Sequence, residues 1–186
     1  MRDSHFSLDL DLWLDQDLIK RQNRLKSAFL MLFEDLGNSI SNEALTQIHA
    51  FSKGKKISKG NDLLGFPYQV LDFVRDFDPE KGLDIRILNW FGNGLFLMIY
   101  HGEKSQPNPK ELLKAGFAFS LAESAWDYPE MILNQAFSKK LEKYHLKKSK
   151  PIVWIKELKV PEKTELALNN LQLEIGNLLQ ILKLSN

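Results

Sequence analysis

Tyr68, Asp72, Arg86 and His101 are the four side chains in the middle of the chain that can bind or catalyse. Asp72 sits in the apolar run "VLDFV", where an unpaired carboxylate would be costly. Arg86 stands at the head of another apolar run and is its natural partner. Arginine offers a planar fork of five donors, and histidine adds a donor when protonated. Arg86 and His101 at one strand end would therefore suit an anion. The plainer reading makes that end a polar strand terminus, with Asp72 and Arg86 a structural ion pair.

Other groups carry weaker chemistry. Asp76, Asp78 and Asp84 join Asp72 in an acidic cluster, and paired carboxylates can do acid–base work. They also have the spacing of turn residues. Asp9, Asp11 and Asp15 offer hard oxygen ligands, but alternating acids equally describe the wet face of a strand, and no calcium loop follows. Lysines concentrate in Lys53–Gly60 and again in Lys139–Lys150. Both stretches can contact phosphates and both can be plain solvated surface. Histidines 5, 49, 101 and 145 lack the i, i+4 spacing of a helical zinc site. No nucleophile elbow and no glycine-rich dinucleotide fingerprint occurs. No cofactor and no metal is expected.

Composition narrows the class. The 186 residues are 44% apolar and 26% charged, with a net charge of +1, so nothing favours nucleic acid or an anionic surface as partner. Cysteine is absent, which excludes disulfides and thiolate chemistry. The N-terminus interleaves acids with leucines, unlike a signal peptide, and no apolar window reaches the ~20 residues of a membrane span. A cytoplasmic protein without a membrane partner is the expectation.

The elements that must hold these residues follow from periodicity. In "FSLDLDLWLD", Phe6 to Asp15, strict alternation argues a strand, the alternative being an early start to the next helix. From Asp17, Leu18, Leu25, Phe29, Leu32 and Leu36 recur at helical spacing as far as Gly37-Asn38. Ser41 to Phe51 reads as a shorter helix capped by Ser41 or Asn42. Ser52 to Pro67 reads as a mobile loop, Tyr68 to Val74 as a strand, and Asp76 to Gly82 as a turn. Lys110 to Ala115 is a short helix, Gly116 to Ser124 a strand, and Pro129 to Leu146 a helix. Pro151 to Val160 is a strand, and Pro161 opens a final helix to about Leu184. In that helix Gly176 suggests a close approach to a neighbour.

Asn93-Gly94 is a strong two-residue hairpin signal. That turn pairs Arg86 with His101, and a slip to Gly92-Asn93 pairs Asp84 with His101. Both faces of the hairpin are apolar, which calls for a central position covered on both sides.

The segment from Gly65 to Gly102 resembles one shared by a group of uncharacterised bacterial proteins. The features are a Gly-x-Pro-Tyr opening at Gly65, the Leu71-Asp72 pair, and aromatic-Gly-Asn at Phe91-Gly92-Asn93. The resemblance implies the hairpin and no activity.

Together these features predict a single α+β domain over residues 1–186. Its antiparallel sheet would have about four to five strands with a central hairpin, packed by N-terminal and long C-terminal helices. The over-wide leucine stripe of the last helix and the two-faced hairpin expose more apolar surface than one small sheet hides. Action through a protein partner or a second copy is therefore expected. The alternative is a small-molecule or anion site, possibly enzymatic, around Tyr68, Asp72, Arg86 and His101, with Lys53–Gly60 as a lid.

Overall fold

The computed structural model describes residues 7–147 and 150–184. Seven strands form one antiparallel sheet: β1 (Lys56–Leu63), β2 (Phe66–Arg75), β3 (Leu83–Trp90), β4 (Gly94–His101), β5 (Ala118–Ser120), β6 (Phe137–Ser138) and β7 (Ile152–Leu158). Their order across the sheet is β1-β2-β3-β4-β7-β5-β6. The helices are α1 (Leu10–Leu14), α2 (Gln16–Ser39), α3 (Asn42–Ile48), α4 (Pro109–Lys114), α5 (Tyr128–Leu133), α6 (Leu141–Lys147) and α7 (Thr164–Lys183). None of them is long and apolar enough to cross a membrane.

Alternation in β3, β4 and β7 sends side chains to two cores. Ile85, Ile87, Leu97, Ile99 and Trp154 face α2, α3 and α7. Leu88, Trp90, Phe96, Met98, Val153 and Ile155 face the other way, toward Met131 of α5. The hairpin is thus central and buried on both faces, as its apolar faces require.

The sheet has seven strands rather than four to five. The stretch read as a loop contains β1, which pairs with β2 from Lys56↔Asp72 to Leu63↔Phe66. Leu64 (φ 50°) and Gly65 (φ 86°) form its hairpin turn. An edge strand is held by backbone ladder bonds and needs little apolar content, and lysines discourage further pairing. Gly60 has a specific task there: a Cβ would lie 2.4 Å from the Tyr68 ring. The single helix expected from Pro129 to Leu146 is three elements. Gln135 adopts φ 50° after α5, and Phe137-Ser138 then pairs with β5 as the far edge of the sheet.

The N-terminal alternation is not a strand in its described part. Asp9 accepts a hydrogen bond from the Leu12 N–H (2.9 Å) and caps α1, and Asp15 accepts one from the Leu18 N–H (2.9 Å) and caps α2. Acids that look like the wet side of a strand are here N-caps three residues ahead of the amides they bind. Phe6 and His5 lie outside the described residues.

Gly176 makes no close approach, because a Cβ there meets nothing within 4 Å. Gly176→Ala should therefore stabilise α7 by about 0.8–1 kcal/mol. Urea unfolding of the two proteins checks this, with an upward shift in midpoint expected.

Candidate functional site

A bulge in β2 sets the geometry around Asp72. Asp72 pairs with Arg86, but Val74 pairs with Ile85, so Phe73 is the extra residue. Asp72 is thereby turned to the face of Arg86 while Phe73 and Val74 both enter the opposite core. Asp84, two residues before Arg86, shares that face. The Arg86 Nε donates to Asp84 Oδ1 (2.7 Å), and one Nη donates to Asp84 Oδ2 (3.1 Å). Asp72 Oδ1 lies 3.1 Å from the same Nε. The guanidinium rests over the Phe77 ring, 5.2 Å from its centroid. Tyr100 and Trp126 complete an aromatic wall beside Phe77.

The structure thus joins Asp72 and Arg86 and adds Asp84. The i, i+2 spacing in Asp84-Ile85-Arg86 was the available signal for that third member. Reading Asp84 as a turn residue hid it.

His101 does not join them. The hairpin loop is Phe91-Gly92-Asn93, with Gly92 at φ 85°, and Trp90 pairs with Gly94. Arg86 therefore faces Met98, and His101 faces Leu83. The register differs by three residues from the one expected of an Asn93-Gly94 turn, and an odd shift reverses faces. His101 is fully buried on the helix-covered side, its Nδ1 donating to the Gly102 carbonyl (2.9 Å) and its Nε2 unpartnered.

Tyr68 lies on the Asp72 face, opposite Trp90 and over Gly60. The Lys53–Gly60 segment is no lid, since Arg75 donates to the carbonyls of Lys53 and Gly54, Lys55 donates to those of Gly37 and Ile40, and β1 begins at Lys56.

Burial governs the titration of this region. Asp84 is pushed up to about 7 by loss of solvent, against the pull of Arg86. Asp72 is raised for the same reason. His101 is held down at about 4 by burial, so it is neutral at pH 7.

The two large shifts have opposite consequences. The unfolded Asp84 carboxyl titrates near 3.8, so between about 4 and 7 the folded chain holds the extra proton, and stability from this group falls as pH rises. For His101 the unfolded chain holds the extra proton between 6.5 and about 4, and stability falls as pH drops. The slopes oppose in the wild type, and Asp84→Asn should unmask the histidine. Relative to wild type, the variant should lose on the order of 1.4 kcal/mol per pH unit through that window. Melting curves of both proteins at pH 7 and pH 5 test this.

Chemically the cluster is a buried Asp–Arg–Asp triad. The gap beside it, lined by Phe77, Asp84, Arg86, Trp126 and Tyr128, has a volume of 20 Å³, enough for a water. A wider open concavity of 510 Å³ lies past the hairpin loop, lined by Phe96, Gln135, Lys139 and Ile155, and none of the four predicted site residues lines it. Among the described residues no group of three potential ligands is placed to hold a metal ion.

The larger anomaly is at the N-terminus. Residues 7–24 are exposed without exception. Their apolar members are Leu8, Leu10, Leu12, Trp13, Leu14, Leu18 and Ile19, and Leu25 follows at 50% exposure. Helix α2 buries Leu32, Phe33, Leu36 and Gly37 on the body, so its buried residues all lie in its second half. The same stripe continues through Leu25 and Leu18, which are 50% and 44% exposed. At the junction a groove of 240 Å³ opens between α2 and the approach to α7, lined by Leu25, Ala28, Phe29, Leu32, Val160 and Pro161. The periodicity of α2 was plain in the sequence, but periodicity does not say which half of a stripe the fold will cover.

No family model, curated protein or solved structure matches this chain.

Proposed function

We propose that this protein acts through protein–protein contact, and that α1 with the first half of α2 is the contact surface. The observation that carries the reading is the run of seven large apolar side chains from Leu10 to Leu25, each 44–72% exposed. Fully burying one large apolar side chain is worth ~1.5–3 kcal/mol. Seven such side chains, about half exposed or more, hold on the order of 6–12 kcal/mol in each chain. That is comparable with the ~4–15 kcal/mol that association costs in lost freedom. Two surfaces of this kind meeting would leave a surplus.

The alternative, a small-molecule or anion site at Arg86 and His101, has less support. Those residues face opposite sides of the sheet, and the guanidinium is engaged by two carboxylates. The resemblance of Gly65 to Gly102 to uncharacterised bacterial proteins adds no activity to either reading.

A photoreactive residue placed at position 25 of the full chain, and in a second protein at position 20, tests the reading in cells. Lys20 sits on the far side of the helix from the stripe. A protein adduct at 25 and none at 20 is expected. Absence of any protein adduct at 25 would overturn the reading.

A further inference from the structure

We infer that the open concavity beyond the β3–β4 hairpin loop is a binding site for an apolar tripeptide with free termini. The inference stands apart from the α1–α2 contact surface and uses none of its residues.

The concavity exists because the sheet parts there. Strand β4 pairs with β7 as far as Leu158, but β5 pairs with β7 only at Ile155 and Trp154. Gly116 takes φ 93°, and the Phe117 N–H donates to the Leu112 carbonyl (3.0 Å), so the chain just before Ala118 leaves the sheet. On that side, Lys156 to Leu158 of β7 pair with no strand among the described residues. N–H and C=O groups along a strand point alternately to its two edges, so this stretch directs backbone donors and acceptors into the gap. The gap opens into the concavity of 510 Å³, a size typical of ligand sites.

The lining specifies the ligand. Phe96, Ala118, Ile155 and Phe137 give an apolar floor and wall, and Phe137 is 38% exposed. Glu157 stands beside Gly94 at the hairpin side, and Lys139 follows β6 at the far edge of the sheet. Among the described residues neither of these two forms an ion pair, whereas Lys156 is already held by Glu174 (2.6 Å). Strands β7 and β6 are two strand spacings apart, about 10 Å. A ligand with an ammonium at Glu157 and a carboxylate at Lys139 answers both charges at once. An extended tripeptide spans about 10 Å. Its amides suit the open edge of β7, and its side chains suit the apolar floor. A purely anionic ligand would answer Lys139 and leave Glu157 unmatched.

Titration of the isotope-labelled full chain with trileucine, followed by NMR, tests this beside the N-acetylated and C-amidated peptides. Binding with a Kd below about 1 mM is expected, weakened about five-fold or more by either block. Lys139 and Glu157 are exposed, so Lys139→Met and Glu157→Gln should remain folded. Lys139→Met should bind the free and amidated peptides alike, and Glu157→Gln the free and acetylated peptides alike. Absence of saturable shifts with trileucine would overturn the site. Equal binding of free and blocked peptides by the wild type would overturn the assignment of its termini. Decanoate binding more tightly than trileucine, and lost in Lys139→Met, would assign the concavity to an aliphatic anion and overturn the peptide. Trileucine binding that survives both charge variants and disappears in Leu18→Glu/Leu25→Glu would place the peptide on the α1–α2 face and overturn the proposal.

Discussion

Replacing Arg86 with methionine is expected to cost about 3–5 kcal/mol of unfolding free energy, the largest effect of any single polar change in this chain. The reason is the company the guanidinium keeps. Asp84 is 2% exposed and Asp72 5%, and both lean on the same Nε. Without the arginine, two carboxylates share one apolar face with no cation, and each must give up its charge or remain buried and unpaired. Removing all three charges should be far milder than removing one. Arg86→Met combined with Asp72→Asn and Asp84→Asn should recover most of the loss, because replacing a whole buried ion cluster with neutral groups is often near neutral. Denaturant unfolding of the single and triple variants measures both. A loss under about 1 kcal/mol for Arg86→Met would mean that the carboxylates are solvated, contrary to their burial.

Trp154→Ala is expected to cost about 3–5 kcal/mol. Trp154 lies in β7, the strand that joins β4 to β5, and it is fully buried. Its ring packs edge-on against Phe119 (5.5 Å between centroids) and tilted against Tyr144 (5.2 Å), tying β5 and α6 to the main sheet. Truncation leaves a cavity beside Phe119 and Tyr144 and cuts that connection. Phenylalanine should recover at least about half of the loss, because the indole N–H has no hydrogen-bond partner to forfeit. Thermal unfolding of Trp154→Ala and Trp154→Phe beside wild type gives the comparison.

Legibility in the sequence followed the strength of the local physics. The β3–β4 hairpin was legible because both of its faces are apolar, and only a covered central pair allows that. Helices α2 and α7 were legible from long periodic stripes. The Asp72–Arg86 pair followed from the cost of a carboxylate in "VLDFV". Other features depend on context that a single sequence carries weakly. Strand β1 is polar because it is an edge, so it resembled a loop. Helix α1 lies between two capping acids, Asp9 and Asp15, with Asp11 in its first turn, so the segment resembled a strand. The position of His101 turned on whether the hairpin loop holds two residues or three. Gly92 and Gly94 both take positive φ, so the glycines alone permit either. One such choice moved His101 from beside Arg86 to the opposite core.

The contact face of α1 and α2 depends on the same distinction between pattern and context. Its stripe is visible in the sequence, and only the fold leaves half of it uncovered.

The most direct measurement is the solution mass of the full chain by sedimentation from about 1 to 100 μM, with Leu18→Glu/Leu25→Glu run beside it. Both leucines are about half exposed, so the variant should remain folded. The expected result is a wild-type mass twice the 21.5 kDa of one chain, and a variant that stays at 21.5 kDa throughout. Equal monomer masses for both proteins across the range would contradict self-pairing through this face.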